Sequence, residues 1–262
     1  MRRGVLCIGT TTVDYTKKID HLPELESLVV IDEMSRSTGG PGLNIAFNLR
    51  QLDRDLPVEA VVCIAQDSDG EYILEQTSQF GIRNSRTQRT KTKHTGYADA
   101  LTLNSNGKRT FLFHGGSNED LDLTLVDLDQ FTPRILHLGA PGLHKLADSP
   151  WQGEANQWVE ALKRAKLLGI ESNMEMVTLD PVVTKELALP CLPHLSSLII
   201  NESEAGALLD LSAKVEGADA DINWNMLEGM AQGLISRGVS RLAVIHTPAG
   251  AVAADSTGKT WR

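Results

Sequence analysis

Short apolar runs recur along the chain and predict the strands of the fold. They cover residues 5–8, 60–65, 135–138, 176–179, 198–200 and 242–245. Within these runs the apolar residues do not alternate with polar ones, which is typical of strands buried on both faces of a sheet. The pattern therefore predicts a central sheet with both faces covered.

Segments of helical periodicity lie between many of these runs. Apolar residues recur on one helical face over residues 45–52, 151–165 and 227–234. Pro150 is a start signal for the second segment, and Gly238 is a stop signal for the third. Strands that alternate with helices predict an α/β fold in which helices cover both sides of a largely parallel sheet.

Two segments interrupt this alternation and predict β structure outside the main sheet. Residues 15–37 mix polar and apolar positions in an extended pattern. Residues 95–114 predict a hairpin, because Asn106 and Gly107 form a strong turn signal between two strand-like runs. We expect a single domain over residues 1–262, with a small β-sheet, a lid or an interface, formed by about residues 12–38 and 94–115.

Composition and charge narrow the class of protein. The chain has 262 residues, of which 41% are hydrophobic, and a formal net charge of −9. This acidic balance argues against a nucleic-acid partner, which needs clustered basic residues. No apolar run approaches the roughly 20 residues of a membrane helix, so we expect no membrane partner. The three cysteines are widely spaced, which favours a reducing, cytoplasmic environment.

A glycine-rich turn is the most informative candidate for a binding site. Gly39, Gly40 and Gly42 surround Pro41 just before a helical segment. Glycine allows a close approach of backbone to ligand, and a helix N-terminus offers free N–H donors. A tight turn that only starts the helix explains the same residues about equally well. A dinucleotide-binding fingerprint is excluded, because Ile45 stands where its third glycine is required.

Residues 39–46, Gly-Gly-Pro-Gly-Leu-Asn-Ile-Ala, resemble the N-terminal signature of the ribokinase-like (PfkB) carbohydrate kinases. Other segments resemble further parts of that family in the same order, at residues 7–14, 70–81, 96–118, 201–205 and 241–250. The resemblance implies a three-layer αβα sandwich with a mostly parallel central sheet and a small β-sheet lid. It also implies ATP- and Mg²⁺-dependent phosphorylation of a hydroxymethyl group of a sugar or nucleoside, and a homodimer formed through the lid.

The same resemblance assigns four residues to the acceptor. Asp14 would accept hydrogen bonds from sugar hydroxyls, since a carboxylate can hold two adjacent hydroxyl groups. Gly40 and Gly42 would let the backbone press against the sugar, and Asn44 would bond to it. Considered alone, Asp14 is better explained as a turn cap, and Asn44 has an alternative as the cap of its own helix.

Five residues are assigned by the resemblance to nucleotide, phosphate and metal. Asn201, Thr247 and Gly250 would contact nucleotide or phosphate, while Glu204 and Asp180 would organise Mg²⁺, mainly through water. Asn201 and Glu204 also have the spacing of a helix capping box, and both descriptions can hold together. For Asp180 a strand-end turn is an equal alternative.

The catalytic base has no candidate in the sequence. The family's Gly-Ala-Gly-Asp segment is not found after Gly250, so we expect the base to lie beyond Arg262. A non-catalytic sugar- or nucleotide-binding regulatory protein on the same fold is the alternative function. Residues 253–260 loosely match a phosphate-binding loop, but no strand–loop–helix context surrounds Lys259, and a β-turn is the better interpretation.

Overall fold

A computed structural model of the protein describes residues 3–131, 133–212 and 222–262. The strands in these residues are Val5–Gly9 (β1), Thr12–Ile19 (β2), Glu33–Gly39 (β3), Val58–Val61 (β4), Cys63–Ala65 (β5), Gln88–Thr90 (β6), Tyr97–Leu103 (β7), Arg109–His114 (β8), Ile135–Gly139 (β9), Glu171–Glu175 (β10), Ser197–Asn201 (β11), Leu242–Thr247 (β12), Gly250–Asp255 (β13) and Thr260–Trp261 (β14).

The helices of the same residues connect these strands. They are Pro41–Leu52 (α1), Ser68–Gln79 (α2), Leu128–Phe131 (α3), Gln157–Leu167 (α4), Pro181–Ala188 (α5), Glu202–Leu209 (α6) and Trp224–Ser236 (α7). Three short 3-10 helices cover Gly116–Asp120, Leu123–Leu125 and Leu189–His194.

The large sheet has the order β14-β13-β12-β11-β10-β9-β1-β4. The six strands from β12 to β4 are parallel, and β13 and β14 are added antiparallel at one edge. All parallel strands therefore end at the same edge of the sheet, which is where α/β sheets bind their ligands. The predicted α/β fold with a mostly parallel sheet is confirmed.

Both faces of strand β1 are buried, which explains its unbroken apolar pattern. Leu6 and Ile8 belong to one hydrophobic core, whereas Val5 and Cys7 belong to the other, together with residues of α1. Helix α1 packs on β1 and β4 on this second side, and α4, α6 and α7 pack on the opposite side, against β10 to β13. The sheet thus forms the middle layer of the fold.

The sheet is less covered near β11. Leu198 and Ile200 are fully buried on the side of α6, whereas Ile199 between them is 42% exposed on the other face. The two ends of the sheet therefore differ in how much of their apolar surface the described residues bury.

A second sheet, which we call the small sheet, stands apart from the large one. Its order is β3-β2-β7-β8, with β2 and β7 parallel and the other pairs antiparallel. The predicted hairpin is confirmed as β7 and β8, and the chain turns at Asn106 and Gly107, where φ of Gly107 is +69°. The strand-like residues 29–31 lie outside the strands, in the connection from β2 to β3.

Three sequence-based boundaries are wrong, each for a local reason. The run at residues 60–65 splits at Val62, after which β5 pairs with β6 instead of joining the large sheet. The strand predicted at residues 176–179 lies earlier in the chain, as β10 at Glu171–Glu175. Three polar positions of β10 are only partly buried, on the less covered side of the sheet, so the strand lacks an unbroken apolar pattern. Helix α4 begins at Gln157, since the Asn156 side chain accepts a hydrogen bond from the backbone N–H of Val159 (3.0 Å).

Candidate functional site

The glycine turn is packed tightly against the end of β1. Gly40 is the N-cap of α1 with φ of +90°, and a Cβ there would lie 2.4 Å from the carbonyl oxygen of Thr10. The backbone N–H of Gly42 donates to the same carbonyl (2.9 Å). Only glycine fits at position 40, because both the backbone angle and the space exclude a side chain. The turn therefore fixes the start of α1 against the carboxyl end of β1.

Asp14 lies beside this turn on β2. A Cβ added to Gly39 would lie 2.2 Å from the Asp14 carboxylate, so the absence of a side chain at position 39 makes room for that carboxylate. The Thr12 hydroxyl donates to Oδ1 of Asp14 (2.6 Å), and no described residue donates to Oδ2. Burial raises the pKa of Asp14, partly offset by the Thr12 hydrogen bond and by the positive charge of Arg109.

Asn44 occupies the first turn of α1 and is exposed. Its backbone N–H donates to the carbonyl oxygen of Gly40 (3.0 Å), while no described residue bonds to its side-chain amide. The alternative that Asn44 caps its own helix is wrong, because Gly40 is the N-cap residue. The structure thus brings together four residues predicted for the acceptor, Asp14, Gly40, Gly42 and Asn44, at one end of the sheet.

Asn201 and Glu204 form the capping box that their spacing predicts. The Asn201 side chain accepts from the backbone N–H of Glu204 (2.8 Å), and the Glu204 carboxylate accepts from the backbone N–H of Asn201 (3.0 Å). The Thr178 hydroxyl, which the sequence analysis missed, donates to Glu204 (3.1 Å). Burial raises the pKa of Glu204, and the nearby Glu175 adds to that rise.

Asp180 is the N-cap of α5, and no hydrogen bond or ion pair among the described residues joins it to Asn201 or Glu204. Its Oδ1 accepts from the backbone N–H of Val182 (2.9 Å). Since β10 already ends at Glu175, Asp180 caps a helix and does not end a strand, unlike the alternative of a strand-end turn. Residues 3–131, 133–212 and 222–262 contain no group of three or more His, Cys, Asp or Glu side chains placed to hold a metal ion. Glu204 and Asp180 therefore do not by themselves form a preformed metal site.

Thr247 and Gly250 flank a tight hairpin turn. They are the last paired residues of β12 and β13, and the Thr247 hydroxyl donates to the carbonyl oxygen of Gly250 (3.2 Å). A Cβ at Gly250 would lie 3.1 Å from the ring of Trp224, so the indole covers one side of the turn. Neighbouring strands are about 4.8 Å apart, so β12 lies about 19 Å from β1 along the sheet edge. The predicted residues therefore form two separate groups.

A buried network behind Asp14 was also missed by the sequence analysis. His144 is 1% exposed, and its ring nitrogens bond to the Thr10 hydroxyl (2.8 Å) and the Asn118 carbonyl oxygen (2.8 Å). A carbonyl oxygen only accepts, so Nδ1 carries a proton and donates to it. Burial lowers the pKa of His144, which favours the neutral ring, with Nε2 accepting from Thr10.

Asn118 extends this network to the next residue of the chain. Its Oδ1 accepts from the backbone N–H of Thr11 (2.9 Å), and its amide donates to the carbonyl oxygens of Thr11 (2.8 Å) and Gly115 (2.9 Å). The local sequence around His144 and Asn118 carries no motif for this arrangement, because the contacts join residues more than 100 positions apart.

Comparisons with known proteins relate this chain to a family of enzymes. A family model described as pfkB family carbohydrate kinase matches residues 2–261. No described helix is long and apolar enough to cross a membrane.

Two curated proteins are similar in sequence. The uncharacterized sugar kinase YeiI of Escherichia coli K12 is 32% identical over 134 residues, which cover 48% of this chain and 33% of that protein. A nucleoside kinase of Methanocaldococcus jannaschii is 20% identical over 203 residues, which cover 76% of this chain and 60% of that protein. The chain thus spans about a third of the length of the Escherichia coli protein and three fifths of the length of the Methanocaldococcus jannaschii protein.

Solved structures share the fold at low sequence identity. The ribokinase of Giardia lamblia matches with a TM-score of 0.80 and 17% identity, over 99% of this chain and 75% of that one. The Arabidopsis thaliana ribokinase complexed with ribose and ATP matches with a TM-score of 0.78 and 17% identity, over 100% of this chain and 78% of that one. These similarities establish a ribokinase-like fold.

Proposed function

Since the chain belongs to the pfkB family of carbohydrate kinases, we propose that it takes part in the ATP- and Mg²⁺-dependent phosphorylation of a hydroxymethyl group on a sugar or nucleoside. The observation that carries the proposal is the Asp14 carboxylate held beside Gly39 with one oxygen unused by the described residues. A partly desolvated carboxylate next to a glycine turn suits recognition of a neutral polyol.

The acceptor is bound by Asp14 and the glycine turn. The ionised carboxylate accepts hydrogen bonds from two sugar hydroxyls, and such charge-assisted bonds are about twice as strong as neutral ones. The exposed Asn44 amide adds a donor and an acceptor, and the backbone at Gly40 and Gly42 approaches the sugar closely. Together these groups hold the hydroxymethyl oxygen in a defined place, which is the main requirement of phosphoryl transfer.

The nucleotide is bound at the other group, by Asn201, Thr247 and Gly250. In support, Asn201 and Thr247 are the last residues of β11 and β12, and Gly250 begins β13 directly after the turn that follows β12. Arabidopsis ribokinase is described as complexed with ribose and ATP. ATP is therefore the phosphoryl donor in this proposal.

Mg²⁺ fits Glu204 and Asp180 only as an ion that keeps its water shell and arrives with the phosphates. Both carboxylates already cap helices, and Mg²⁺ gives up water reluctantly. When bound, the ion neutralises charge that develops on the transferred phosphoryl group. Glu204 contributes a buried negative charge toward that water shell.

The proton acceptor of the reaction is not among the residues assigned above. Asp255, the acid that follows Gly250 in the sequence, pairs in register with Leu242 at the other end of β12 from Thr247. It also accepts hydrogen bonds from its own turn, at Thr257 and Lys259. Asp255 therefore cannot remove a proton at the acceptor, and a role in binding without phosphorylation stays the alternative function.

The small sheet closes over the acceptor as a lid and pairs two copies of the chain in the cytoplasm. In support, the side chains of Phe111 and Phe113 are 52% and 42% exposed. Phe113 pairs with Ala98, which pairs with Asp14, so these three side chains share one face of the sheet. An aromatic side chain there favours an acceptor with a flat ring, and a nucleoside is the second candidate substrate.

A panel of pentoses, hexoses and nucleosides tests the proposal by two measurements on each compound. We expect calorimetry to show binding of at least one compound, and ADP release with ATP and Mg²⁺ to follow for the same compound. Binding without ADP release would support the regulatory alternative, and absence of binding across the panel would contradict an acceptor site at Asp14.

A further inference from the structure

We propose that Thr10, His144 and Asn118 form a positioning network that sets the place of Asp14 relative to the glycine turn. The inference rests on the proposed function, because its consequence is measured on acceptor binding. It concerns three buried side chains that contact neither the acceptor nor the nucleotide in that proposal.

The segment that this network holds joins the large sheet to the small one. Strand β1 ends at Gly9 and β2 begins at Thr12, so Thr10 and Thr11 are the whole connection. Asp14 follows two residues into β2, and its carboxylate is bonded by Thr12 (2.6 Å). Any shift of the connection therefore moves Asp14 directly.

The glycine turn is hydrogen-bonded to the same connection. The carbonyl oxygen of Thr10 accepts from the backbone N–H of Gly42 (2.9 Å), and the backbone N–H of Thr10 donates to the carbonyl oxygen of Gly139 (2.7 Å). Thr10 thus fixes β9 and α1 through its backbone and the loop that contains His144 through its hydroxyl. One residue sets the distance between the turn and the strand that carries Asp14.

His144 is itself held rigidly. The Asp148 carboxylate accepts from the backbone N–H groups of His144 (2.9 Å) and Gly142 (3.1 Å) and from the indole N–H of Trp158 (2.7 Å). The Trp158 ring packs edge-on against the imidazole, with ring centroids 5.2 Å apart. These contacts hold the imidazole in one orientation, so its two ring nitrogens point to Thr10 and to the Asn118 carbonyl oxygen. A ring held in this way can orient the residues to which it bonds.

Asn118 fixes the second residue of the connection from the opposite side. It bonds both backbone groups of Thr11, and the N–H of Val13 donates to the carbonyl oxygen of Gly96 (3.1 Å). A Cβ at Gly96 would lie 2.2 Å from the Asn118 amide, so the chain before β7 passes close to this side chain. The connection is thereby tied to the chain that enters β7, the strand that lies beside β2 in the small sheet.

The chain offers a matched control one residue away. Thr10 and Thr11 are both buried, at 1% and 0% exposure, but the Thr11 hydroxyl has no hydrogen-bond partner among the described residues. Thr10→Val and Thr11→Val remove the same atom from neighbouring sites, and Thr10→Ser keeps the donor. A general effect of valine in this connection would appear in both valine variants.

The test measures binding of D-ribose, D-fructose and adenosine, and separately of ATP, by calorimetry on all three variants. We expect Thr10→Val to weaken binding of the accepted compound about tenfold, as for one buried hydrogen bond, with ATP affinity unchanged. Thr11→Val should match the wild type, and Thr10→Ser should restore most of the affinity.

Amide hydrogen exchange of residues 11–16 gives a second readout that needs no ligand. Thr10→Val should speed exchange there at least severalfold relative to Thr11→Val. Equal exchange and equal acceptor affinity in the two valine variants would overturn the proposal. If the wild type binds none of the three compounds, the proposed acceptor site fails on these probes, and the exchange comparison alone decides whether the network positions the segment.

Discussion

The two groups of predicted site residues use their hydrogen bonds differently. At the group proposed for the acceptor, which we call the acceptor end, Oδ2 of Asp14 and the amide of Asn44 have no partner among the described residues, while the backbone behind them is fixed. At the group proposed for the nucleotide, which we call the nucleotide end, Asn201 and Glu204 satisfy each other in a capping box. Polar groups that make no hydrogen bond within the protein are available to bind a ligand. Polar groups that bond to each other already have a structural role, so their presence is weaker evidence for a binding site.

The largest effect is therefore expected at Asp14. Asp14→Ala should weaken acceptor binding roughly 100-fold or more, since two charge-assisted hydrogen bonds are lost, with ATP affinity nearly unchanged. Calorimetry with each ligand measures the two losses. Asp99→Asn is the control, because Asp99 lies on the adjacent strand β7 and pairs with Lys17 (2.6 Å) on the other face. If Asp14→Ala lowered the affinity for acceptor and for ATP equally, the assignment of Asp14 to the acceptor alone would be wrong.

The raised pKa of Asp14 adds a prediction about stability and pH. A carboxyl group whose folded pKa is raised stabilises the fold when protonated and loses that contribution as pH rises through the folded pKa. Asp14→Asn should therefore make the protein more stable than wild type at pH 8 and similar at pH 4, while acceptor binding is lost. Urea unfolding at both pH values measures the difference, and a less stable variant at pH 8 would contradict it.

The glycine turn should give the next largest effect, on stability. Gly40→Ala should cost about 3 kcal/mol, because φ of +90° excludes a side chain and a Cβ would contact Thr10. Gly107→Ala is the matched control: its φ is also positive, at +69°, but no atom lies within 4 Å of the added Cβ. It should cost only about 1 kcal/mol. Equal free energies of unfolding would show that backbone strain alone requires glycine at position 40.

Glu204 should give a smaller effect, confined to the nucleotide end. Burial raises its pKa, so the ionised form destabilises the fold as pH rises through the folded value. Glu204→Gln keeps an acceptor for the Asn201 backbone and should gain stability relative to wild type between pH 4 and pH 8. Acceptor affinity should not change. If Glu204→Gln weakened acceptor binding as much as Asp14→Ala, the result would show that Glu204 and Asp14 belong to one binding site.

The sequence predicted the layers of the fold and the glycine turn that starts α1, because buried strands and a glycine-rich segment leave local patterns. The roles assigned to the site residues stay predictions. The capping box at Asn201 and Glu204 was also visible from spacing alone. The sequence did not reveal that Asp180 is the N-cap of α5, or that Thr10, Asn118 and His144 meet. Those contacts depend on how distant segments pack, and a threonine, an asparagine and a histidine far apart in sequence carry no periodic signal.

Substitution of Lys259 should give the smallest effect, because we expect this residue to lie outside the proposed nucleotide site. A phosphate-binding loop presents its backbone N–H groups to phosphate, but here the N–H groups of Thr257 and Lys259 donate to the Asp255 carboxylate (2.8 and 3.1 Å). The Lys259 ammonium lies 4.7 Å from the centre of the exposed Trp261 ring. Lys259→Ala should therefore change stability by no more than about 0.5 kcal/mol and leave ATP affinity unchanged, as measured by calorimetry beside Thr247→Val. A tenfold loss of ATP affinity would move the nucleotide to the opposite edge of the sheet, since Asp255 pairs with Leu242 there.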